Sequence, residues 1–144
     1  MSTVALMSIE ENKSIAVKLF ENLSSLKIDA VLAALADNAR WWVLGGTYFG
    51  QFLPKEQFRK QLQALAIAVP SGLNLKISRV IGEGDVVVVE GEGRGQAANK
   101  KIYNNHYVWV LTLRDGKVVE GKEYMDTLHV LETFGPVMRP KSNA

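Results

Sequence analysis

Apolar residues recur at helical spacing in three stretches of the first half of the chain. In the first stretch, Ser8 and Glu11 form a capping-box pattern, and the helix that follows should end near Leu26. Its apolar stripe consists of Ile15, Ala16, Leu19, Phe20, Leu23 and Leu26. Asp29 is predicted to cap a short second helix that carries Val31, Leu32 and Leu35. Pro54 suits the first turn of a third helix, whose buried stripe is Phe58, Leu62, Leu65 and Val69.

The second half of the chain shows the alternation that is typical of β-strands. A first strand is predicted earlier, from Arg40 to Leu44, and four more follow from Leu73 onward. Asp115 and Gly116 separate two of these strands and form a strong hairpin signal. Side chains of a strand alternate between its two faces, so every second residue of the strand before this turn shares one face. That face is aromatic and apolar and is made of Tyr103, Asn105, Tyr107, Trp109, Leu111 and Leu113. In the strand after the turn the same alternation groups Val118, Glu120, Lys122, Tyr124 and Asp126.

The predicted element order is helix, helix, strand, helix and then four strands, which is typical of an α+β fold. A curved antiparallel sheet wrapped around the long N-terminal helix is the architecture that we expect. Such a sheet leaves a cone-shaped internal pocket between itself and the helices. We expect one domain over residues 1–144, with a core of about 8–134 and flexible ends.

Composition narrows the classes of function. The 144 residues carry a net charge of only +2, and the basic residues are scattered, so we expect no nucleic-acid partner. The chain contains no cysteine, which excludes disulfides and thiol catalysis. No apolar run reaches membrane-spanning length, and the N-terminus lacks the layout of a signal peptide. We therefore expect no membrane partner and a cytoplasmic location.

Asp126 is the candidate catalytic residue, because it is an acid at the end of a strand near aromatic residues. In an apolar cavity, desolvation would raise its pKa and allow acid–base chemistry near neutral pH. The alternative is that Asp126 caps the helical turn that begins at Thr127. The two roles are compatible, and the sequence leaves both open.

The remaining polar and aromatic residues indicate ligand binding more than metal or phosphate chemistry. His106 should face outward, and His129 lies one helical turn after Asp126, where it can hydrogen-bond the carboxylate. Two histidines this far apart do not predict a metal site, and nothing resembles a phosphate loop, so we expect no cofactor. Each aromatic residue taken alone is more typical of the core than of a ligand contact, but together several tyrosines and a tryptophan suit a pocket for a small apolar ligand with a few polar groups. The predicted ligand contacts are Trp41, Tyr48, Glu90, Tyr103, Asn105, Tyr107 and Tyr124.

Four runs of the chain carry a family resemblance: 83–90, 103–107, 114–118 and 123–127. They resemble the SnoaL-like, ketosteroid-isomerase-related group of the nuclear transport factor 2-like superfamily, from about the first helix to Phe134. This group includes ketosteroid isomerases, polyketide cyclases, limonene-epoxide hydrolases, scytalone dehydratases and non-enzymatic binding domains. The resemblance implies a cystatin-like α+β cone with a pocket that opens to one side, and a homodimer packed through the sheet.

The resemblance also reaches individual positions. Asp126 falls on the acidic position of the group's last strand, and several predicted ligand contacts fall on positions that the group often fills in the same way: Glu90, Tyr103, Asn105, Tyr107 and Tyr124. The general base of the ketosteroid isomerases has no clear counterpart, since the Asp37–Asn38 region reads equally well as a helix end. The acid pair of the epoxide hydrolases is also not evident, because Asn105 and Tyr107 occupy that part of the hairpin.

Two functions remain in view. The first is a small-molecule enzyme that performs cofactor-free acid–base chemistry, as an isomerase, cyclase, dehydratase or hydrolase, on an apolar cyclic or carbonyl-bearing substrate. In it Asp126 would move the proton, while Asn105 and Tyr107 would donate hydrogen bonds to a developing oxyanion. The second is a binding module that holds a small apolar ligand in the same pocket. In either case the outward row Val108, Val110 and Thr112, with one of two adjacent tryptophans, predicts a homodimer.

Overall fold

The computed structural model describes residues 2–44 and 51–135, with side chains described from residue 8 onward. These residues form four helices and six strands. In chain order they are α1 (Ser2–Ser24), α2 (Ile28–Ala33), β1 (Leu35–Val43), β2 (Phe52–Pro54), α3 (Lys55–Ala68), β3 (Lys76–Glu83), β4 (Val86–Gln96), β5 (Ile102–Arg114), β6 (Lys117–Met125) and α4 (Thr127–Phe134). The α+β class expected from the element order is confirmed.

All six strands belong to one curved sheet in the order β2-β1-β6-β5-β4-β3. Neighbouring strands are antiparallel except for β1 and β6, which run parallel. The β5–β6 hairpin turns at Asp115 and Gly116, whose φ angles of 52° and 76° are both positive. Such angles are required by the tight hairpin turn that an Asp-Gly pair favours, so this predicted turn is confirmed.

Helices α1 and α3 cover the concave face of the sheet, and the core lies between them and the strands. Phe20 of α1 stacks on Trp109 of β5, with ring centroids 4.1 Å apart. Phe58 of α3 stacks on Trp41 of β1 at 4.5 Å. Four residues of the predicted α1 stripe are fully enclosed: Ala16, Leu19, Phe20 and Leu23. Burial of these large side chains is the main stabilising contribution of both helices.

The alternation of charges and glycines in β4 has a packing explanation. Gly91, Gly93 and Gly95 are the inward positions of this strand. A side chain at Gly93 would collide with Leu75 and Tyr107, and one at Gly95 with the backbone of the connection before β3. The glycines therefore make room for that connection and for the aromatic row of β5, while Glu92 and Arg94 point outward.

Several element boundaries differ from the predicted ones. α2 begins at Ile28 with Lys27 as its N-cap, so Asp29 lies in the first turn and does not cap this helix as predicted. α1 begins at Ser2, six residues before the expected start at Ser8. Leu35 belongs to β1 and not to the second helix, because an apolar residue at the junction can be buried equally well by either element. Phe52–Pro54 pairs with Arg40–Trp42 of β1, which adds a strand that the sequence does not predict. This pairing depends on a distant strand and leaves no local periodicity to detect.

Candidate functional site

The inward row of β5 forms the floor of the candidate site. All six residues that period two placed on this face are buried: Tyr103, Asn105, Tyr107, Trp109, Leu111 and Leu113. The predicted face of this strand is therefore confirmed. Tyr107 lies flat on Trp109, with ring centroids 4.7 Å apart and planes 6° from parallel. The row places one amide and two phenols within an otherwise apolar interior.

Asn105 is the one fully buried amide of this row, with 1% of its surface exposed. Its Oδ1 accepts hydrogen bonds from the backbone N–H groups of His106 (2.8 Å) and Asp126 (3.0 Å). Its Nδ2 donates to the carbonyl of Asp126 (3.0 Å) and to the hydroxyl of Tyr103 (3.1 Å). Both amide hydrogens are therefore committed within the protein. Asn105 ties β5 to the end of β6 and orients Tyr103.

Tyr103 and Tyr107 form a hydroxyl pair, in which one O–H donates to the other. The pair uses one of its two hydroxyl hydrogens, and the second has no acceptor among the described residues. Burial raises the pKa of Tyr103 to about 12 and raises that of Tyr107 well above its ordinary value. Both phenols are therefore neutral hydrogen-bond donors at physiological pH.

Glu123 of β6 is the acid that faces this row. A register shift lies between the Thr112–Glu120 and Leu113–Val118 pairs, so that Val119 is an extra residue in β6. Such a bulge moves every later side chain of the strand to the opposite face. Beyond it, Glu123 pairs with Trp109, an inward residue, and Tyr124 pairs with Val108, an outward one. The prediction that Val118 shares a face with Glu120, Lys122 and Tyr124 is wrong for this reason.

The Glu123 carboxyl group lies between two indole rings. Trp41 Nε1 donates a 3.3 Å hydrogen bond to Glu123 Oε1. Trp109 Nε1 also interacts with this carboxyl group and lowers its pKa, although it makes no hydrogen bond of normal geometry. Desolvation by the surrounding apolar groups is the larger effect, and it raises the pKa of Glu123 to about 7. The residue as a whole keeps partial solvent exposure.

Gly121 allows Trp41 to reach this acid. The ring of Trp41 lies directly over Gly121, and any side chain there would collide with it. These two residues are also register partners in the parallel β1–β6 pair. Because β1 and β6 run side by side, the first strand delivers its inward tryptophan next to Glu123.

Asp126 lies outside this interior. It is exposed, immediately after β6, and its side chain accepts the backbone N–H of His129 at 3.2 Å as the cap of α4. The capping role expected as one of its two alternatives is therefore present, while a catalytic role for Asp126 stays a prediction. His129 does not donate a ring hydrogen to Asp126. Instead its Nε2 accepts the backbone N–H of Asn104 at 3.0 Å, and its ring stacks on Tyr103.

The other predicted ligand contacts are divided between the two faces of the sheet. Trp41 lies in the interior with Tyr103, Asn105 and Tyr107. Glu90 and Tyr124 flank Val108 on the outer face, where Glu90 pairs with Arg79 and Tyr124 packs against Trp42 at 5.2 Å. Tyr48 lies outside the described residues. The structure thus brings four of these seven residues together.

A cavity of about 160 Å³ lies between α3 and the β1–β2 edge of the sheet. The described residues in its walls are Val43, Gln51, Leu53, Gln57, Lys60, Gln61 and Ala64. Val43 is the register partner of Glu123 across the β1–β6 pair, so this cavity lies one strand away from the interior acid. The larger internal pocket expected inside the cone stays a prediction.

Neither a metal cluster nor a membrane-spanning helix is found in the part of the chain that the structure describes. Across residues 2–44 and 51–135, no three histidine, aspartate or glutamate side chains converge on a point where an ion would be held. None of the helices in these ranges combines the length and the apolar character needed to cross a bilayer.

Comparison with known proteins places the chain in a family. The family model for the SnoaL-like domain matches residues 16–121, which is well over half of the chain. The chain belongs to the SnoaL-like domain family. No curated protein matches the sequence.

Solved structures share the fold of this SnoaL-like chain at low sequence identity. A protein of unknown function from Burkholderia pseudomallei K96243, described as nuclear transport factor 2-like, is 22% identical with a TM-score of 0.76, over 85% of this chain and 96% of that one. A candidate SnoaL-like polyketide cyclase from Jannaschia sp. CCS1 is 21% identical with a TM-score of 0.75, over 88% and 92%. A candidate isomerase from Bacillus subtilis is 18% identical with a TM-score of 0.79, over 89% and 95%. These similarities show that the SnoaL-like chain folds as a cone of the nuclear transport factor 2-like type.

Sequence reasoning did not place Glu123 on the inner face of this SnoaL-like domain. Strict alternation counted from Val118 placed it on the outer face. The one local sign of the bulge near Val119 is Gly121, because a glycine inside a strand often marks a bulge or a close approach. With a bulge at this point, the pairing of the two hairpin strands places Glu123 opposite Trp109 and therefore on the inner face.

Proposed function

We propose that this protein is a small-molecule enzyme that performs cofactor-free acid–base chemistry, with Glu123 as the group that transfers the proton. The observation that supports this most directly is a carboxyl group on the concave face of the cone, placed between two indoles and close enough to the phenols of Tyr103 and Tyr107 to raise their pKa. The substrate class that suits such an interior is an apolar cyclic or carbonyl-bearing molecule.

The environment of Glu123 suits proton transfer in both directions. With a pKa of about 7, the carboxyl group is a mixture of its acid and base forms at neutral pH. A group with such a pKa is a better general base than an ordinary carboxylate and remains available as an acid in the next step. The Trp41 hydrogen bond fixes the orientation of the carboxyl group without neutralising it.

The hydroxyl pair of Tyr103 and Tyr107 is the proposed donor to an oxyanion. Asn105 was expected to fill this role, but both of its amide hydrogens are bonded to the protein. The hydrogen bond that Asn105 donates to Tyr103 instead polarises the hydroxyl pair. One hydroxyl hydrogen of this pair has no acceptor among the described residues. A developing negative charge on a substrate oxygen would accept this hydrogen while Glu123 removes or returns a proton.

Asp126 remains the second candidate for the catalytic acid, as the sequence and the resemblance suggested. Its exposed position and its bond to the His129 backbone support capping, and acid–base work at this site would take place at the rim of the cone. Glu123 and Asp126 are both carboxylates and lie three residues apart. Replacing each of them by its amide in a separate variant shows which one transfers the proton.

Matched acid-to-amide variants test the proposal. Deuterium incorporation next to the carbonyl of a panel of cyclic ketones would be followed by NMR in D₂O, since this reports proton transfer whatever the product. Glu123→Gln should lower the exchange rate by roughly two or more orders of magnitude, while Asp126→Asn should stay near the wild-type rate. The reverse ranking would assign the chemistry to Asp126. Ligand binding without exchange in the wild-type protein would favour the binding module.

Assembly is a separate part of the proposal. The outward residues of β5, Val108, Val110 and Thr112, are only partly buried in the single chain, and Trp42 and Tyr124 continue this surface. A second copy packed on the same face would cover it with a self-complementary interface. We also retain the cytoplasmic location expected from the composition.

A further inference from the structure

We propose that the cavity between α3 and the β1–β2 edge is a subsite for a carboxylate-bearing small molecule that also carries a hydroxyl or amide N–H group. This inference rests on the proposed function in one respect: it identifies the part of the substrate that lies away from Glu123. The groups that define it are Gln61, Lys60 and the apolar wall formed by Val43 and Leu53.

Gln61 supplies an unsatisfied acceptor. Its Oε1 is buried and has no hydrogen-bond partner among residues 2–44 and 51–135. A buried polar atom without a partner is costly, and a ligand that donates a hydrogen bond to such an acceptor in a cavity wall removes this cost. The amide lies at the end of a flexible side chain, so a small rotation presents the oxygen to the cavity. The ligand must therefore carry an O–H or N–H group.

Lys60 supplies the positive charge. Two other cations of α3 are neutralised within the protein: Lys55 contacts Asp37 and the Leu35 carbonyl, and Arg59 contacts Glu56 and Asp29. Lys60 is an exposed residue that has no ion pair or hydrogen bond with any described residue, and none of the described residues that line the cavity is acidic. An anionic group in this cavity meets one cation and no competing anion, which favours a carboxylate.

The size and position of the cavity fit one end of a substrate. A volume of about 160 Å³ is close to that of an apolar cavity known to admit benzene. Val43 lies opposite Glu123 in the β1–β6 register, and the Leu44 N–H donates to the Glu123 carbonyl at 2.8 Å. A ligand that fills the subsite is thus held beside the strand that carries the proposed catalytic acid.

Single-ring probes separate the two predicted contacts. Benzoate, methyl benzoate, 3-hydroxybenzoate and methyl 3-hydroxybenzoate would be titrated by NMR into the ¹⁵N-labelled protein, with the shifts expected at Val43 and along α3. Lys60→Met should weaken both benzoates roughly tenfold and leave the esters within about twofold. Gln61→Met should remove a preference of roughly fivefold for the hydroxylated probes. Lys55→Met, on the same helix, is the control and should leave both preferences unchanged.

Two further readouts make the result decisive. Gln61→Met should also raise the melting temperature, because it removes the unsatisfied acceptor from the unliganded protein. Loss of affinity that is equal for acid and ester, or shifts that lie elsewhere on the protein, would overturn the subsite. Glu123→Gln should keep the probe preferences, so a failure of the proposed chemistry leaves this result intact. Wild-type exchange activity without any probe preference would overturn the subsite alone.

Discussion

Truncation of Asn105 should destabilise the protein far more than truncation of its sequence neighbour Asn104. Asn105→Ala removes four hydrogen bonds at once, two that the side chain accepts and two that it donates. It leaves the backbone N–H and carbonyl groups of Asp126 without these partners at the point where β6 ends and α4 begins.

The expected loss follows from these bonds. Each is worth about 0.5–1.5 kcal/mol, and because they share one side chain their contributions do not simply add. We expect the free energy of unfolding to fall by about 3 kcal/mol, which lowers the melting temperature by roughly 6–12 °C for a domain of this size. Thermal and urea unfolding, followed by circular dichroism, measure both quantities.

Asn104→Ala is the matched control. Asn104 lies on the outer face of the same strand. With its side-chain amide oriented to form hydrogen bonds, Nδ2 donates to the Gly93 carbonyl at 3.3 Å and to the Glu92 carboxylate at 3.1 Å. Its backbone N–H still bonds to His129 after truncation, so the loss should stay below about 1 kcal/mol. Equal losses for the two variants would refute the conclusion that Asn105 ties β5 to the β6–α4 junction.

Three further predictions concern the acid, its glycine and the assembly. Glu123 binds its proton more tightly when folded, so its contribution to stability is full below pH 4.5 and is lost as the pH rises to about 7. Chemical denaturation should show this loss of unfolding free energy, which is about 3 kcal/mol at most given the partial exposure of the side chain. Glu123→Gln should remove this pH dependence. A wild-type free energy of unfolding that stays constant over this pH range would contradict the assignment. Gly121→Ala should cost about 1–3 kcal/mol by pressing on Trp41, and Trp41→Phe in the same chain should recover part of it; additive losses would show that the two residues do not interact. Light scattering at micromolar concentration should give twice the chain mass of 15.9 kDa, and a value near the single mass would oppose the dimer.

The sequence predicted most of the fold because its strongest signals are local. The α1 stripe and the alternation of β5 each repeat over several turns or residues, and Asp115–Gly116 determines a hairpin by its own backbone preferences. The short strand Phe52–Pro54 was missed, because it exists only through pairing with β1. Local patterns contain no information about such a partner.

The candidate site was predicted less completely than the fold. Strand periodicity placed Tyr103, Asn105 and Tyr107 on the inner face, whereas Trp41 was named for its aromatic ring and periodicity did not decide which of the two adjacent tryptophans faces inward. Their hydrogen bonds were not predictable, since the bonds of Asn105 to Asp126 join segments that only the β5–β6 register brings together. The most important difference, Glu123, depends on one bulged residue in β6.

Direct titration of the Glu123 carboxyl group tests the central claim most directly. Selective ¹³C labelling of glutamate, with the Glu123→Gln variant to assign the signal, allows its chemical shift to be followed across the pH range by NMR. We expect a midpoint of about 7, because desolvation between the two indoles outweighs their hydrogen bonding. A midpoint near the ordinary glutamate value of about 4.3 would contradict the account, since Glu123 would then be a solvated carboxylate like any other.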